Sequence, residues 1–167
     1  MLVVAVPAAA RSRSPRALYK ALLTIPVPKS QLPKGFGAPR ISRFTPDAVD
    51  RRHRIVGEVE LEFTERRAAI FYLVFPTRAD ARGDLHDGLS TIKGVRSRRP
   101  APALPQPAVI LSGVEHGGAF AEVLFVTRNV LVAAIVALPR SPRAGQADAL
   151  VLARLALRHL DAVERRL

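Results

Sequence analysis

Two separated stretches of this chain follow one plan, two runs of β character and then a run of helical character, and that plan restricts the fold more than any other feature. The first stretch comprises residues 56–63, 68–75 and the segment after Thr77. The second comprises residues 119–126, 130–138 and 147–166. In 56–63, Val59, Leu61 and Phe63 alternate with Glu58, Glu60 and Glu62, a period of two that puts carboxylates on one face and apolar groups on the other. Residues 68–75 are apolar on both faces, which predicts a central strand covered on both sides. In 147–166, Leu150, Ala153, Leu157, Leu160 and Val163 recur at helical spacing, with Arg154, Arg158, Asp161 and Arg165 largely elsewhere around the axis. These patterns predict an α+β fold: an antiparallel sheet of four to six strands, a long C-terminal helix and one or two shorter helices. The two hairpins should share one sheet.

Punctuation refines the reading. Ser14-Pro15 can open a short helix with Leu18, Leu22 and Leu23 as its stripe, ended by Pro26 and Pro28. Residues 25–46 hold five prolines and two glycines and predict an irregular loop. Thr64-Glu65-Arg66-Arg67 joins the first hairpin. Thr77 and Asp80 have capping-box spacing, although Gly83 and Gly88 predict a short or broken helix. Residues 96–107 read as a second flexible stretch, and 109–114 as an additional strand turning at Glu115-His116-Gly117-Gly118. The last hairpin turns at Thr127-Arg128-Asn129, with Asn129 expected in the left-handed conformation, and Pro139 and Pro142 close it.

The chain's 167 residues, 49% of them apolar, suffice for one packed domain, expected over 13–167. Residues 1–12 read either as the remnant of an export signal or as an apolar arm: the run to Ala10 is uncharged and ends in three alanines, but lacks a preceding basic segment. No run is long enough to span a bilayer. Cysteine is absent, which excludes disulfides, thiolate nucleophiles and cysteine-ligated metals. The formal charge of +12 is lopsided. Residues 1–56 carry 11 Lys/Arg against Asp47 and Asp50, whereas 57–167 carry 15 against 12 acids. A basic third of this kind suits an anionic partner or simply solvated arginines.

Chemistry-bearing constellations are sparse. Glu58, Glu60 and Glu62 read as a wet strand face. His86 lies near Asp84 and Asp87, and His116 follows Glu115, pairs that serve proton transfer only where side chains converge. The four histidines lack the spacing of a zinc site. No Gly-x-Ser-x-Gly elbow exists, and Lys34-Gly35-Phe36-Gly37 is too short to cradle a phosphate. The clusters Arg11/Arg13/Arg16 and Arg96/Arg98/Arg99 lack the interleaved aromatics on which bases stack, which argues against nucleic acid. No catalytic residue, cofactor or metal is expected.

Leu22-Leu23-Thr24, the run from Leu32 to Phe36, the run Asn129 to Val132, and Leu152-Ala153 with Ala156-Leu157 and His159-Leu160 form an ordered set of short motifs. In this order the chain resembles a group of exported or lipid-anchored domains of actinobacteria and related bacteria. It is broadly similar to the extracellular sensor domains of mycobacterial serine/threonine kinases. Those domains are often disulfide-linked, and here there is neither cysteine nor a kinase segment. The resemblance implies an extracytoplasmic, non-catalytic α+β domain and transfers no functional residue.

The resulting expectation is a non-enzymatic, sensor-like domain that binds a small apolar or amphiphilic molecule or a cell-envelope partner. Leu32, Phe36, Ile41 and Phe44 of the first loop are the candidate binding residues, and Arg11, Arg13, Arg16 and Lys20 the candidate basic patch. The alternatives are a basic adaptor for nucleic acid or an anionic membrane, and a small enzyme using His86 or His116; the alternative location to the extracytoplasmic one is the cytoplasm.

Overall fold

The computed structural model describes residues 14–44 and 53–167; the expected signal remnant or arm, with Arg11 and Arg13, lies outside the described residues. Strands β1 (Arg40–Phe44), β2 (Gly57–Phe63), β3 (Ala68–Val74), β4 (Val95–Pro100), β5 (Ala108–Glu115), β6 (Gly118–Thr127) and β7 (Val130–Ala137) form one sheet in the order β1-β2-β3-β7-β6-β5-β4. Every neighbouring pair is antiparallel. Helices α1 (Pro15–Thr24), α2 (Arg78–Thr91) and α3 (Pro142–Arg165) complete the described fold.

The β2–β3 and β6–β7 hairpins join through β3 and β7, paired from Ala68↔Val136 to Val74↔Val130, so both β-β-α stretches build one platform. One face of it is closed by α1 and α3. Val59, Leu61, Ile70, Tyr72, Val123, Phe125, Val132 and Ala134 point there and meet Leu22, Leu152, Leu155 and Leu160 in the larger core. Tyr19 of α1 lies so close over β2 that a Cβ at Gly57 would sit 2.5 Å from its ring, which only glycine permits. The second face is covered by α2, whose Ala81 and Leu85 bury Leu111, Leu124, Val126 and Leu131 in a smaller core with Phe75. Toward β1 and β2 this face is less covered: Ala69, Phe71, Glu60 and Glu62 are only half-buried.

Several expectations need correction. The sheet has seven strands rather than four to six because both supposedly irregular stretches contribute an edge strand, β1 within 25–46 and β4 overlapping the start of 96–107. Edge strands tolerate arginine and proline, since one side needs no ladder partner, and these residues hide the alternation. Helix α2 runs unbroken for 14 residues through Gly83 and Gly88. Thr77 caps it as the spacing implied, its Oγ1 accepting from the Asp80 amide at 3.1 Å. Helix α3 begins at Pro142, five residues before the expected start, with Ser141 as its cap; proline suits a first turn. At the β6–β7 turn the left-handed residue is Arg128, at φ 54°, rather than Asn129. Asn129 instead donates from Nδ2 to the Phe75 carbonyl at 2.6 Å, while its own carbonyl accepts from the Phe75 amide at 2.9 Å. Finally, β3 is fully covered on one face only.

Candidate functional site beneath helix α2

Register decides which side chains look toward α2. Arg98 of β4 lies opposite Leu111 of β5, and Leu111 is buried under α2, so Arg98 projects on the second face. On the helix, Arg78, Arg82 and His86 recur every four residues and stack on one flank, with Leu85 and Leu89 beside them. These elements bound an open cleft of about 560 Å³, lined by Arg82, Leu85, His86, Leu89, Arg98, Gln106, Pro107 and Val109. Leu85 is buried, Leu89 and Val109 are half-buried, and Arg82, His86 and Arg98 are exposed, which gives an apolar floor under a cationic rim.

The far wall is held in place. Gln106 donates from Nε2 to the carbonyls of Ala101 and Leu104, at 3.0 and 3.1 Å, and its Oε1 accepts from the Ala108 amide at 3.2 Å. Arg78 donates to the Gln106 carbonyl at 3.2 Å, tying this loop to the first turn of α2. The Val126 amide donates to the Pro107 carbonyl at 3.1 Å, anchoring the loop to the sheet.

Charge on α2 is sorted by flank. Asp80 and Asp84 lie on the side away from the cleft, where Arg54 reaches Asp80 and His53 Nδ1 reaches Asp84, each at 2.9 Å. Asp84 is thus engaged by His53 rather than by His86. Neither Arg82 nor Arg98 has an ion-pair partner among the described residues.

Two further clefts lined by described residues mix signs. One, of about 600 Å³ at the C-terminal end of α2, brings Lys93, Glu115, His116 and Glu122 around Ile92, Phe120 and Ile135. Burial, with Glu115 adding to it, pushes the Glu122 carboxyl up to about 7. His116 and Glu115 do share this cleft, yet no hydrogen bond links His116 to either carboxylate among the described residues, and no group of three acid or histidine side chains there is arranged to hold a metal. The other, of about 580 Å³, sets Arg66, Arg67 and Arg140 beside Glu65 and Asp148.

The candidates from the first loop separate. Leu32, Phe36 and Ile41 pack against the larger core; Phe36 meets Phe63 edge-on at 5.5 Å, and the Arg66 guanidinium sits 5.4 Å above its ring. Phe44 projects instead on the second face, opposite Glu58, and is 45% exposed. Arg16 and Lys20 are exposed on α1. On β2, burial raises the Glu60 carboxyl, Glu62 adds to the rise, and Arg40 opposes it. Sequence reasoning noted Arg98 and the 96–107 stretch but missed Arg82, Leu89 and Val109. The four-residue spacing of Arg78, Arg82 and His86 was visible; the strand facing them was not.

This chain is similar to a mycobacterial extracellular domain. The crystal structure of the extracellular domain of PknH from Mycobacterium tuberculosis matches at 16% identity and a TM-score of 0.43, over 78% of this chain and 80% of that one. No protein-family model matches the chain, and no curated protein matches it. Among the described residues, no helix is long and apolar enough to cross a membrane.

Proposed function

We propose that this protein is a non-enzymatic, extracytoplasmic binding domain whose ligand is a small amphiphilic molecule seated between α2 and β4. The observation that carries this reading is the composition of that cleft: Leu85, Leu89 and Val109 form its floor and hydrogen-bonding groups stand only at its rim. Half of the lining is apolar and half polar, so the cleft offers surface to a hydrocarbon tail and hydrogen-bonding groups to a head. The sequence motifs shared with exported domains support the extracytoplasmic setting. An enzymatic reading finds less support, since Asp84 is taken by His53 and His116 has no hydrogen-bonded carboxylate among the described residues.

Calorimetric titration with ten-carbon amphiphiles tests the proposal. Burying about six methylenes at ~0.8 kcal/mol each supplies roughly 5 kcal/mol before the cost of ordering, so binding near the millimolar range is expected. Leu89→Gln, which puts an amide on the floor, should weaken it at least tenfold while leaving the far-ultraviolet dichroism unchanged. Binding that ignores Leu89→Gln, or no binding by any such amphiphile, contradicts the reading.

A further inference from the structure

The geometry points to an anionic head group, a phosphate or carboxylate carried on an apolar tail, as the ligand class this cleft selects, with Arg82 of α2 and Arg98 of β4 as the two residues that read it. The inference rests on the binding role proposed for the cleft and specifies what that role recognises.

Of the three clefts, this one alone has no acidic residue in its lining. Two exposed arginines are held by carboxylates. Arg128 reaches Asp161 at 3.1 Å and Glu164 at 2.7 Å, and Arg54 reaches Asp80. Arg82 and Arg98 line one cleft from two different elements, with His86 on the same flank of the helix as Arg82. Two guanidiniums lining one cleft without a carboxylate give it a positive potential that favours an anion. Guanidinium is also the group best shaped for bidentate contact with carboxylate or phosphate.

The sorting of charge along α2 strengthens the case. Arg78, Arg82 and His86 occupy the cleft flank, whereas Asp80 and Asp84 occupy the flank bound to residues 53 and 54. Asp80 is held on its flank by Thr77 and Arg54, and Asp84 by His53, which leaves Arg78 and Arg82 on the cleft flank with no acid beside them in the lining. The apolar floor sets the remaining requirement: Leu85, Leu89 and Val109 accept a hydrocarbon tail, so a bare anion satisfies only half of the site. Phosphate and carboxylate heads share the chemistry, and the test separates them.

The experiment compares decyl phosphate, decanoate, decyl maltoside and decyltrimethylammonium by calorimetry on the full chain, with inorganic phosphate as the tailless control. Arg82→Gln and Arg98→Gln are studied singly and together. Both side chains are exposed, so these variants are expected to keep the parent's melting temperature. The anionic amphiphiles should bind at least tenfold tighter than the neutral and cationic ones, inorganic phosphate should bind at least tenfold weaker than decyl phosphate, and each single variant should cost about fivefold for anionic heads only. A larger effect on decyl phosphate than on decanoate identifies a phosphate head; the reverse identifies a carboxylate. Equal affinity for all four heads, or equal losses for all four in the double variant, overturns the anion assignment and leaves the amphiphile-binding reading standing. No binding of any head overturns both.

Discussion

His159 shows how a single histidine can serve structure alone. It is fully buried on α3. Its Nε2 lies 2.8 Å from the Ile25 carbonyl, which can only accept, so Nε2 carries the proton and Nδ1 accepts from the Tyr72 hydroxyl at 3.0 Å. Burial pushes the imidazole pKa down, although the bond to Ile25 opposes this, and burial raises the Tyr72 hydroxyl; both groups are neutral at physiological pH. Tyr72→Phe, which leaves Nδ1 buried without a donor, should cost about 1–3 kcal/mol in urea denaturation. Nitrogen-15 shifts of the ring should report the Nε2–H tautomer in the parent. Glu122 acts in the opposite sense on pH. Its folded pKa is raised from the ordinary 4.5 to about 7, so the stability tied to its protonated form is full below pH 4.5 and is lost as pH rises through 7. Parent stability relative to Glu122→Gln should therefore fall by up to about 3 kcal/mol between pH 4.5 and 8. A constant difference across that range contradicts the burial of this carboxyl. The His159 contribution runs the other way, present above the ordinary histidine pKa near 6.5 and lost as pH falls through the lower folded value.

At the scale of elements, α2 matters most, since it roofs the smaller core and walls the cleft. Nothing lies within 4 Å of a Cβ built at Gly83 or Gly88, and neither has positive φ, so both glycines cost helix stability without serving packing. Gly83→Ala and Gly88→Ala should each stabilise the protein by about 0.5–1 kcal/mol, seen as a higher urea midpoint. Thr77→Ala, by removing the cap, should destabilise by about 1 kcal/mol. The cap was legible in the sequence because Thr77 and Asp80 form a local pair; the continuity of the helix was not, because packing over Leu111 and Leu124 outweighs two glycines. The same contrast holds for strands. Alternation made β2 evident, and the turn at His116-Gly117, both residues at positive φ, joins β5 to β6 where the sequence indicated. The edge strands β1 and β4 were hidden by Arg40, Arg43, Arg96, Arg98, Arg99 and Pro100, residues whose place at an edge follows only from long-range pairing. The cleft needed β4 to be seen, so its floor and half its rim stayed out of reach.

For the molecule as a whole, the β3–β7 ladder is the joint that turns two β-β-α stretches into one sheet, and coverage of the two faces is unequal. Helices α1 and α3 close one face, while α2 closes only the β5–β7 part of the other. That inequality leaves open the cleft between α2 and β4 where the proposed ligand would rest. Binding at the α2 margin should move neither helix on the opposite face. Methyl-resolved nuclear magnetic resonance during titration with decyl phosphate tests this most directly. Shifts confined to Leu85, Leu89, Val109 and their neighbours, with the methyls of Leu152, Leu155 and Leu160 unmoved, are the result expected. Shifts centred on those α3 leucines, or none at saturating ligand, would contradict a ligand seat between α2 and β4.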